Sequence, residues 1–356
     1  MESAITPHLR CPVSATRRMA QDYTPPVPAW TAWAEPGVDQ ITIGYFGIQW
    51  RSASASIATG VVRDMQDLLA RHDGAELVER VEFIDSAGFH TVILAAYWTN
   101  AERYRAHVSA NAVAQWWAAE ERGRDGVGVF REVFSPRIER LETLSSTADH
   151  FEGIARAFKR RSTHDVQEHS YWGSMRDRMA ASREDELAPQ GQFSAASTSS
   201  AHRIVVEGHH NLALIRSGQN WEAMSGAQLS TYQSEIMPVL DAGMAFLSNE
   251  GTAIGCLTNR VLDHVDAQGK REDRSFSLSY WTSLEALETW AEFHPTHLQI
   301  FNGFTNWASR LGGDLALCLY HEVAVVRADE QLFEYIGCHQ DTGILPTIAR
   351  EAVTGS

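Results

Sequence analysis

Hydrophobic and polar positions repeat along the first third of the chain with two different periods. Alternating β-branched and aromatic residues predict strands, and apolar residues three or four positions apart predict helices. In chain order the predicted elements are a strand at 40–50, a helix at 56–72, strands at 77–84 and 90–98, an amphipathic run to Trp117 and a strand at 127–134. This β-α-β-β-α-β order is the signature of a ferredoxin-like unit.

The same order of elements returns after residue 200. The helical run of the later part is expected to break at Pro295, because proline ends a helix or starts a new one. The predicted elements are a strand at 211–219, a helix at 227–247, strands at 252–265 and 275–281, a helical run at 283–311 and a strand at 315–326.

Short words of sequence also recur in the two parts. Tyr97-Trp98-Thr99 returns as Tyr280-Trp281-Thr282, and Arg131-Glu132-Val133 has its counterpart in His321-Glu322-Val323. Words that repeat in the same order indicate an internal duplication. The predicted fold class is therefore α+β, with two duplicated ferredoxin-like halves.

Two further segments fit neither half. Proline-rich residues near the start predict an extended arm over the surface, and residues 188–200 have the composition of a mobile linker. A helical stretch is predicted at 138–144. The resulting division is an arm at 1–35, a first half at 36–140, a connecting insertion at 141–200, a second half at 201–340 and a tail at 341–356.

Composition excludes several classes of protein. The chain has 356 residues and a formal net charge of −15, which argues against a nucleic-acid partner because such binding needs clustered cations. It holds no apolar run of about 18 residues, so no membrane span is expected. Its four cysteines are scattered without a CxxC pair, which favours a cytoplasmic protein without a cysteine zinc site. Motifs for a nucleophilic serine or for nucleotide phosphates are missing from the sequence.

The second half has polar replacements at three places that the first half lacks, and a site is expected where the two copies differ. His321 replaces Arg131, Ser217 falls where the first half has Phe46, and His297 falls where it has Ala110. A duplicated scaffold needs the same packing twice, whereas a functional site is usually built once. These three residues are therefore the leading candidates.

His297 is predicted to lie one turn into a helix that Pro295 starts. Phe301 and Phe304 follow at i+4 and i+7, so they share its face. A histidine on an apolar, aromatic helix face suits axial ligation of iron in a flat hydrophobic cofactor such as haem. The alternative is a hydrogen-bonded core histidine.

His321 and Ser217 are predicted to lie within strands. Alternation places His321 with Leu319 and Val323 on a core-facing side, where desolvation would make the imidazole a proton shuttle. Ser217 shares its face with Ile215, so an inward hydroxyl that needs a partner is expected. For both residues the alternative is a satisfied structural role.

Five longer segments also form recognisable motifs: residues 1–12, YWGSMRDR at 171–178, NLALIRSGQ at 211–219, HPTHLQIF at 294–301 and LYHEV at 319–323. Together they resemble a known family, the haem-containing aldoxime dehydratases. The similarity runs nearly from end to end and is weakest at 51–75 and 180–201.

This resemblance implies a haem b enzyme, usually a homodimer of α+β-barrel type, that converts an aldoxime into a nitrile and water on ferrous iron. By motif, His297 is the proximal iron ligand and His321 is the distal acid and base. Ser217 contacts the oxime hydroxyl, and Arg178 and Glu142 support the distal side.

Three other functions stay open on sequence alone. A haem peroxidase or an enzyme like chlorite dismutase would also use a proximal histidine, typically with a distal arginine. A haem-binding protein without chemistry would not need His321 together with Ser217. A cofactor-free ferredoxin-like monooxygenase or binding module would bind no haem.

Overall fold

A large antiparallel sheet dominates the computed structural model, which describes residues 1–348 except residues 16, 72, 198, 199 and 201. The strands are β1 Ala32–Trp33, β2 Thr42–Trp50, β3 Leu77–Ile84, β4 His90–Trp98, β5 Val127–Phe134, β6 Leu141–Ser145, β7 Arg160–Arg161, β8 Ser194–Ala195, β9 Arg203–Glu207, β10 Leu212–Asn220, β11 Cys256–Val265, β12 Arg271–Trp281, β13 Cys318–Val326 and β14 Gln331–Ile336.

Helices pack on the sheet and connect its strands. They are α1 Ala55–Leu69, α2 Ala101–Ser109, α3 Asn111–Ala118, α4 Gly153–Ala157, α5 Ser174–Arg178, α6 Gly226–Thr231, α7 Met237–Glu250, α8 Leu284–Phe293 and α9 Pro295–Arg310, with a π-helical turn at Tyr232–Ile236. No helix in the described part of the chain is long and apolar enough to cross a membrane.

Twelve strands form one sheet in the order β6-β13-β10-β12-β11-β3-β4-β2-β5-β14-β9-β8. The strands β10 to β13 stand in the spatial order β13-β10-β12-β11. Counted from the opposite end of the sheet, the strands β2 to β5 stand in the equivalent order β5-β2-β4-β3. The two sets of four meet where β11 pairs with β3. A separate two-stranded sheet joins β1 to β7.

One face of the sheet curves around an interior that both sets of strands share. Arg260 of β11 bonds Glu132 of β5, with 2.5 Å between Nη2 and Oε2. These strands are four places apart, which would be ~19 Å in a flat sheet at the usual ~4.8 Å per strand. The hydrogen bond therefore requires strong curvature. Arg216 of β10 bonds Glu79 of β3 in the same way, at 2.5 Å.

The other face is covered by helices, separately for each set of strands. Over the first set, α1 and α3 bury Met65 and Trp117 against Phe46 and Trp98. Over the second set, α7 and α8 pack on Trp281 and its neighbours. The sheet is thus buried on both sides over much of its area.

Several predicted elements are confirmed and others are wrong. The strands at 77–84, 90–98 and 127–134 are found at those bounds, and the helical run near Pro295 divides there into α8 and α9. The helix expected at 138–144 is wrong: a single 3-10 turn at Ile138–Arg140 leads into β6 at Leu141–Ser145, which pairs with β13.

Other differences concern breaks and short strands. The single helix expected at 227–247 is divided by the π-helical turn, next to a proline in the first turn of α7. The strands β9 and β14 were not predicted, and part of the linker at 188–200 forms β8 on the edge of the sheet. Of the predicted tail, residues 349–356 lie outside the described residues.

We expect two glycine-to-alanine substitutions to act in opposite directions. A Cβ at Gly47 of β2 would overlap the ring of Phe130, which is fully buried, so Gly47→Ala should lower the free energy of unfolding by about 1–3 kcal/mol. Gly60 lies inside α1 with open space where its Cβ would be, so Gly60→Ala should raise it by about 0.5–1 kcal/mol. Urea unfolding curves measure both, and equal effects would contradict the packing at Gly47.

Candidate active site

Strand register brings the predicted distal residues together. β13 lies between β10 and β6, with His321 directly opposite Ser217 on one side and Leu144 on the other. Glu142 of β6 stands opposite Val323, two residues from His321 and therefore on the same face of the sheet. The helix-facing side of β13 thus carries an imidazole beside a carboxylate and a hydroxyl.

A buried ion pair holds His321. Arg178, at the end of α5, donates from Nε to Glu142 Oε2 at 2.7 Å and from Nη2 to Glu142 Oε1 at 3.1 Å. Both side chains are only 1% exposed. His321 Nε2 lies 2.7 Å from Arg178 Nη2 and 3.0 Å from Glu142 Oε1. The two hydrogen bonds from Arg178 to Glu142 make that ion pair specific in geometry as well as strong.

This arrangement gives His321 Nε2 a partner in both of its protonation states. A neutral Nε2 accepts a hydrogen bond from the guanidinium, which only donates, and a protonated Nε2 donates to the carboxylate, which only accepts. Burial raises the pKa of Glu142, but Arg178 and His321 outweigh burial and hold that pKa below its ordinary value. Glu142 is therefore an anion at neutral pH, as this exchange of partners requires.

Ser217 is not the inward hydroxyl that the sequence predicts. It is exposed although it lies in the middle of β10, between β12 and β13. Interior-facing neighbours such as Arg216 and Tyr320 are buried. Exposure on a central strand of a covered sheet marks an open cleft between the sheet and its helices. His321, 23% exposed, faces the same cleft.

His297 lies in the first turn of α9, close to where α8 ends. The side chain of the intervening His294 caps α9 by accepting from the Thr296 amide. His297 Nδ1 is 2.6 Å from the carbonyl oxygen of Ala291 in α8. Donation from Nδ1 leaves the lone pair on Nε2. Burial lowers the pKa of His297, which favours the neutral imidazole that binds metal.

Aromatic rings surround His297. Trp290 and Trp172 lie 4.7 and 5.8 Å from it between ring centroids, and Trp172 lies 5.2 Å from Phe301. Phe304 belongs to a second cluster and packs against Trp307, 6.3 Å away. Of the two phenylalanines predicted to accompany His297, only Phe301 shares its ring contacts.

The helix α9 lies across the cleft from the distal residues. Its Ile300 packs in the same cluster as Ile215 of β10, and its Phe304 packs in the same cluster as Leu319 of β13. Along the paired strands, Ser217 lies between the levels of Ile215 and Leu319, and it is exposed. The cleft therefore has His297 on its helical wall and His321 with Ser217 on its sheet wall.

These residues fit a haem rather than a bare metal ion. Within the described residues, no three or more His, Cys, Asp or Glu side chains are grouped so that they can hold a metal. A single neutral histidine with a free Nε2, set among aromatic rings beside a cleft, suits an iron whose other ligands come from a porphyrin.

Three contributors to the site were missed from sequence: Trp172, Ala291 and Glu168. Arg178 Nη1 donates to the Glu168 carbonyl oxygen at 2.7 Å. Trp172 lies in the motif at 171–178 that also supplies Arg178, so one short segment contacts both walls of the cleft. The signals in the sequence were that this segment fits neither predicted half and that it carries part of the family resemblance.

Comparison with known proteins identifies a family. The family model described as haem-containing dehydratase matches residues 44–344. The aliphatic aldoxime dehydratase of Rhodococcus erythropolis is 40% identical over 359 residues, which covers 99% of each chain. That of Pseudomonas chlororaphis is 39% identical over 97% of this chain and 98% of its own. The phenylacetaldoxime dehydratase of Bacillus sp. (strain OxB-1) is 29% identical over 93% of this chain and 94% of its own.

Solved structures agree with the sequence relatives. A crystal structure of aldoxime dehydratase matches with a TM-score of 0.93 and 38% identity over 98% of this chain and 99% of that chain. A second aldoxime dehydratase, in complex with butyraldoxime, matches with a TM-score of 0.93 and 39% identity over 98% of this chain and 96% of that one. The resemblance seen in the sequence is confirmed, and the chain belongs to the haem-containing dehydratase family.

Proposed function

We propose that this protein is a haem-dependent lyase that dehydrates aldoximes, R–CH=N–OH, to nitriles and water. The observation that carries the proposal is the placement of His321 Nε2 between Glu142 and Arg178, opposite Ser217. Full-length similarity to aldoxime dehydratases supports it. The reaction has to protonate a leaving hydroxyl and later remove a C–H proton, and this cluster suits both tasks.

His297 would hold the iron of a haem b through Nε2, with the ferrous state as the active one. When bound, ferrous haem supplies a binding position for the oxime nitrogen and electron density that weakens the N–O bond. The hydrogen bond to the Ala291 carbonyl fixes the orientation of the imidazole, as partners of iron-binding histidines usually do.

The distal residues would handle the protons. Ser217 orients the oxime hydroxyl toward His321, which fixes the reacting geometry. His321 gives its proton to the hydroxyl as the N–O bond breaks, so that water leaves, and then takes the C–H proton as the nitrile forms. No net proton is consumed. A positioned acid and base of this kind contributes about 10²–10⁴-fold to the rate.

Arg178 and Glu142 would keep His321 ready for each step. After His321 has given up its proton, Arg178 donates to the bare nitrogen, and Glu142 accepts once the proton returns. The full pairing of Arg178 with Glu142 also weighs against a peroxidase, where a distal arginine is expected to be free to act on the bound ligand.

Several finer properties are part of the same proposal. The repeated strand order supports duplicated ferredoxin-like halves at 36–140 and 201–340. The cysteines Cys11, Cys256, Cys318 and Cys338 are free, which suits a reducing cytoplasm. Assembly as a homodimer of α+β-barrel type rests on the family resemblance alone.

His297→Ala should purify largely without haem, because the variant loses the proposed iron ligand. The control is His294→Ala, three residues earlier, which removes a helix cap and a ring stacked on Phe246 but no proposed ligand. Absorbance at the Soret band relative to protein concentration measures the haem content. Full occupancy in His297→Ala would refute the assignment of the ligand.

His321→Ala should retain haem yet form nitrile at least about 100-fold more slowly, the low end for loss of a general acid and base. Ser217→Ala should lose less if the hydroxyl only orients the substrate. The double variant should lose less than the product of the two, since both side chains act on one hydroxyl. Single-turnover kinetics on chemically reduced protein measure these rates, and a near wild-type rate for His321→Ala would contradict its role.

The stability that Glu142 contributes should depend on pH. Because its pKa is depressed in the folded protein, this contribution is complete above the ordinary value of 4.5 and is lost as the pH falls through the folded value. Glu142→Gln should therefore be less stable by about 3 kcal/mol at pH 7, where the variant leaves Arg178 without its carboxylate. The two stability curves should converge below pH 4.5. Urea unfolding from pH 3 to pH 7 provides the test, and parallel curves would refute the ion pair.

A further inference from the structure

A second pair of opposed residues lies behind Ser217 and His321, on the interior face of the same two strands. Arg216 stands directly opposite Glu322 in the register of β10 and β13. Side chains alternate between the faces of a strand. Arg216 therefore points into the interior directly before Ser217 in sequence, and Glu322 does so directly after His321.

Arg216 is fully buried and contacts residues of several strands. Its Nη1 donates to Glu79 Oε2 at 2.5 Å and to the Tyr97 hydroxyl, and its Nη2 donates to the Tyr320 hydroxyl at 3.1 Å. Its guanidinium lies 3.9 Å above the ring of Phe276. Contacts from β3, β4, β12 and β13 thus fix the backbone of β10 immediately before Ser217.

Glu322 is held from the other side. Its Oε2 accepts from the Ile154 amide at 2.7 Å. A Cβ at Gly153 would overlap that oxygen, and Gly153 has φ of +59°, so only glycine suits this close approach. The other oxygen, Oε1, has no hydrogen-bond partner of normal geometry among the described atoms, although Tyr97 approaches the carboxyl group.

We propose that Arg216 and Glu322 are positioning residues for the Ser217–His321 pair, and that the negative charge of Glu322 favours positive charge in the cluster of His321, Arg178 and Glu142. The inference rests on the proposed function for the roles of Ser217 and His321. Fixing a backbone position fixes the direction of the next side chain, and displacement of a reacting group by 1 Å costs about 10²-fold in rate. A charge in a buried, low-dielectric position also acts strongly on its neighbours.

The charge of Glu322 changes near neutral pH. Burial raises its pKa to about 7, although Arg216 and the Ile154 amide oppose this. The charged and titratable groups that face it are Arg216 from β10, Glu79 from β3, Tyr97 from β4 and Tyr45 from β2. Above neutral pH the carboxylate would favour positive charge in the cluster of His321, Arg178 and Glu142. Activity should then extend to higher pH than it does without this charge.

The first set of strands provides a matched control. Glu132 occupies the equivalent place in the repeated word and is also buried, bonded to Arg260, to Tyr280 at 2.6 Å and to Tyr335 at 2.7 Å. Its neighbour in sequence is Arg131, not a distal histidine. Glu132→Gln removes an equally buried interior carboxylate without touching the cleft.

The test compares Glu322→Gln with Glu132→Gln in the haem-loaded protein. We expect Glu322→Gln to lower kcat for a simple aliphatic aldoxime about tenfold at pH 7, which is less than the cost of a 1 Å displacement. The alkaline limb of the pH–kcat profile should also move to lower pH. As a readout besides activity, the C–O stretching frequency of carbon monoxide bound to the reduced protein should shift, because it responds to the electric field on the distal side.

Glu132→Gln should lower the melting temperature without moving the pH limb or the stretching frequency. If Glu322→Gln matches Glu132→Gln in either of these two readouts, the positioning role is wrong. If the wild-type protein does not turn over aldoximes, the proposed function fails, while the stretching frequency still tests the field at the distal side.

A second matched pair covers the case in which Glu322→Gln does not fold. Tyr97→Phe removes a hydroxyl that contacts Arg216, and Tyr280→Phe removes its counterpart beside Glu132. Tyr97→Phe should lower kcat and shift the carbon monoxide stretching frequency, whereas Tyr280→Phe should do neither. Equal behaviour of these two variants would overturn the proposal.

Discussion

The antiparallel pairing of β13 with β10 and β6 is the constraint on which the candidate active site depends. This register sets His321 opposite Ser217 and brings Glu142 to the same face. A slip of one residue would turn every side chain of β13 to the other face. Glu322 would then enter the cleft and His321 the interior. Because the interior holds Arg216 in fixed bonds, such a slip would leave a buried guanidinium facing an imidazole, which makes the observed register strongly preferred.

The position of Arg178 also depends on the connecting segment and on the start of the chain. Glu168 accepts from the Arg178 guanidinium through its backbone carbonyl, and its carboxylate accepts from the Ser3 hydroxyl at 2.9 Å and the Ala4 amide at 2.8 Å. Arg17 adds a longer ion pair at 3.5 Å. The N-terminal arm therefore supports the Arg178–Glu142 ion pair from behind.

Sequence reasoning selected His297, His321 and Ser217 as candidates because the two parts of the predicted repeat differ at these positions. It misplaced Glu142 in a helix, since the apolar residues Leu141 and Leu144 lie three positions apart, which is a helical spacing. It also gave no sign of Trp172 beside His297. Contacts of this kind depend on how distant segments meet in space, and periodicity within a short window carries no information about them.

The burial of charged residues in the interior could not be predicted from the sequence for a related reason. Alternating polar residues in a strand usually indicate a face exposed to water, whereas Glu79 and Arg216 point into an interior enclosed by both sets of strands. Burial of either charge is tolerated only because the other set of strands supplies a residue of opposite charge. The polar pattern of one half can thus be understood only in the presence of the other.

The position of β14 has a consequence for synthesis in the cell. This strand lies between β5 and β9, so the edge of β5 has no partner on that side until Gln331–Ile336 has been made. Nearly all of Val127–Phe134 is buried in the finished protein. About 200 residues separate the two strands, so at roughly 5–20 residues per second this apolar edge stays open for about 10–40 s on the ribosome. An unpaired edge of this kind is a template for aggregation, so nascent chains of this protein depend on protection of β5 until translation is almost complete.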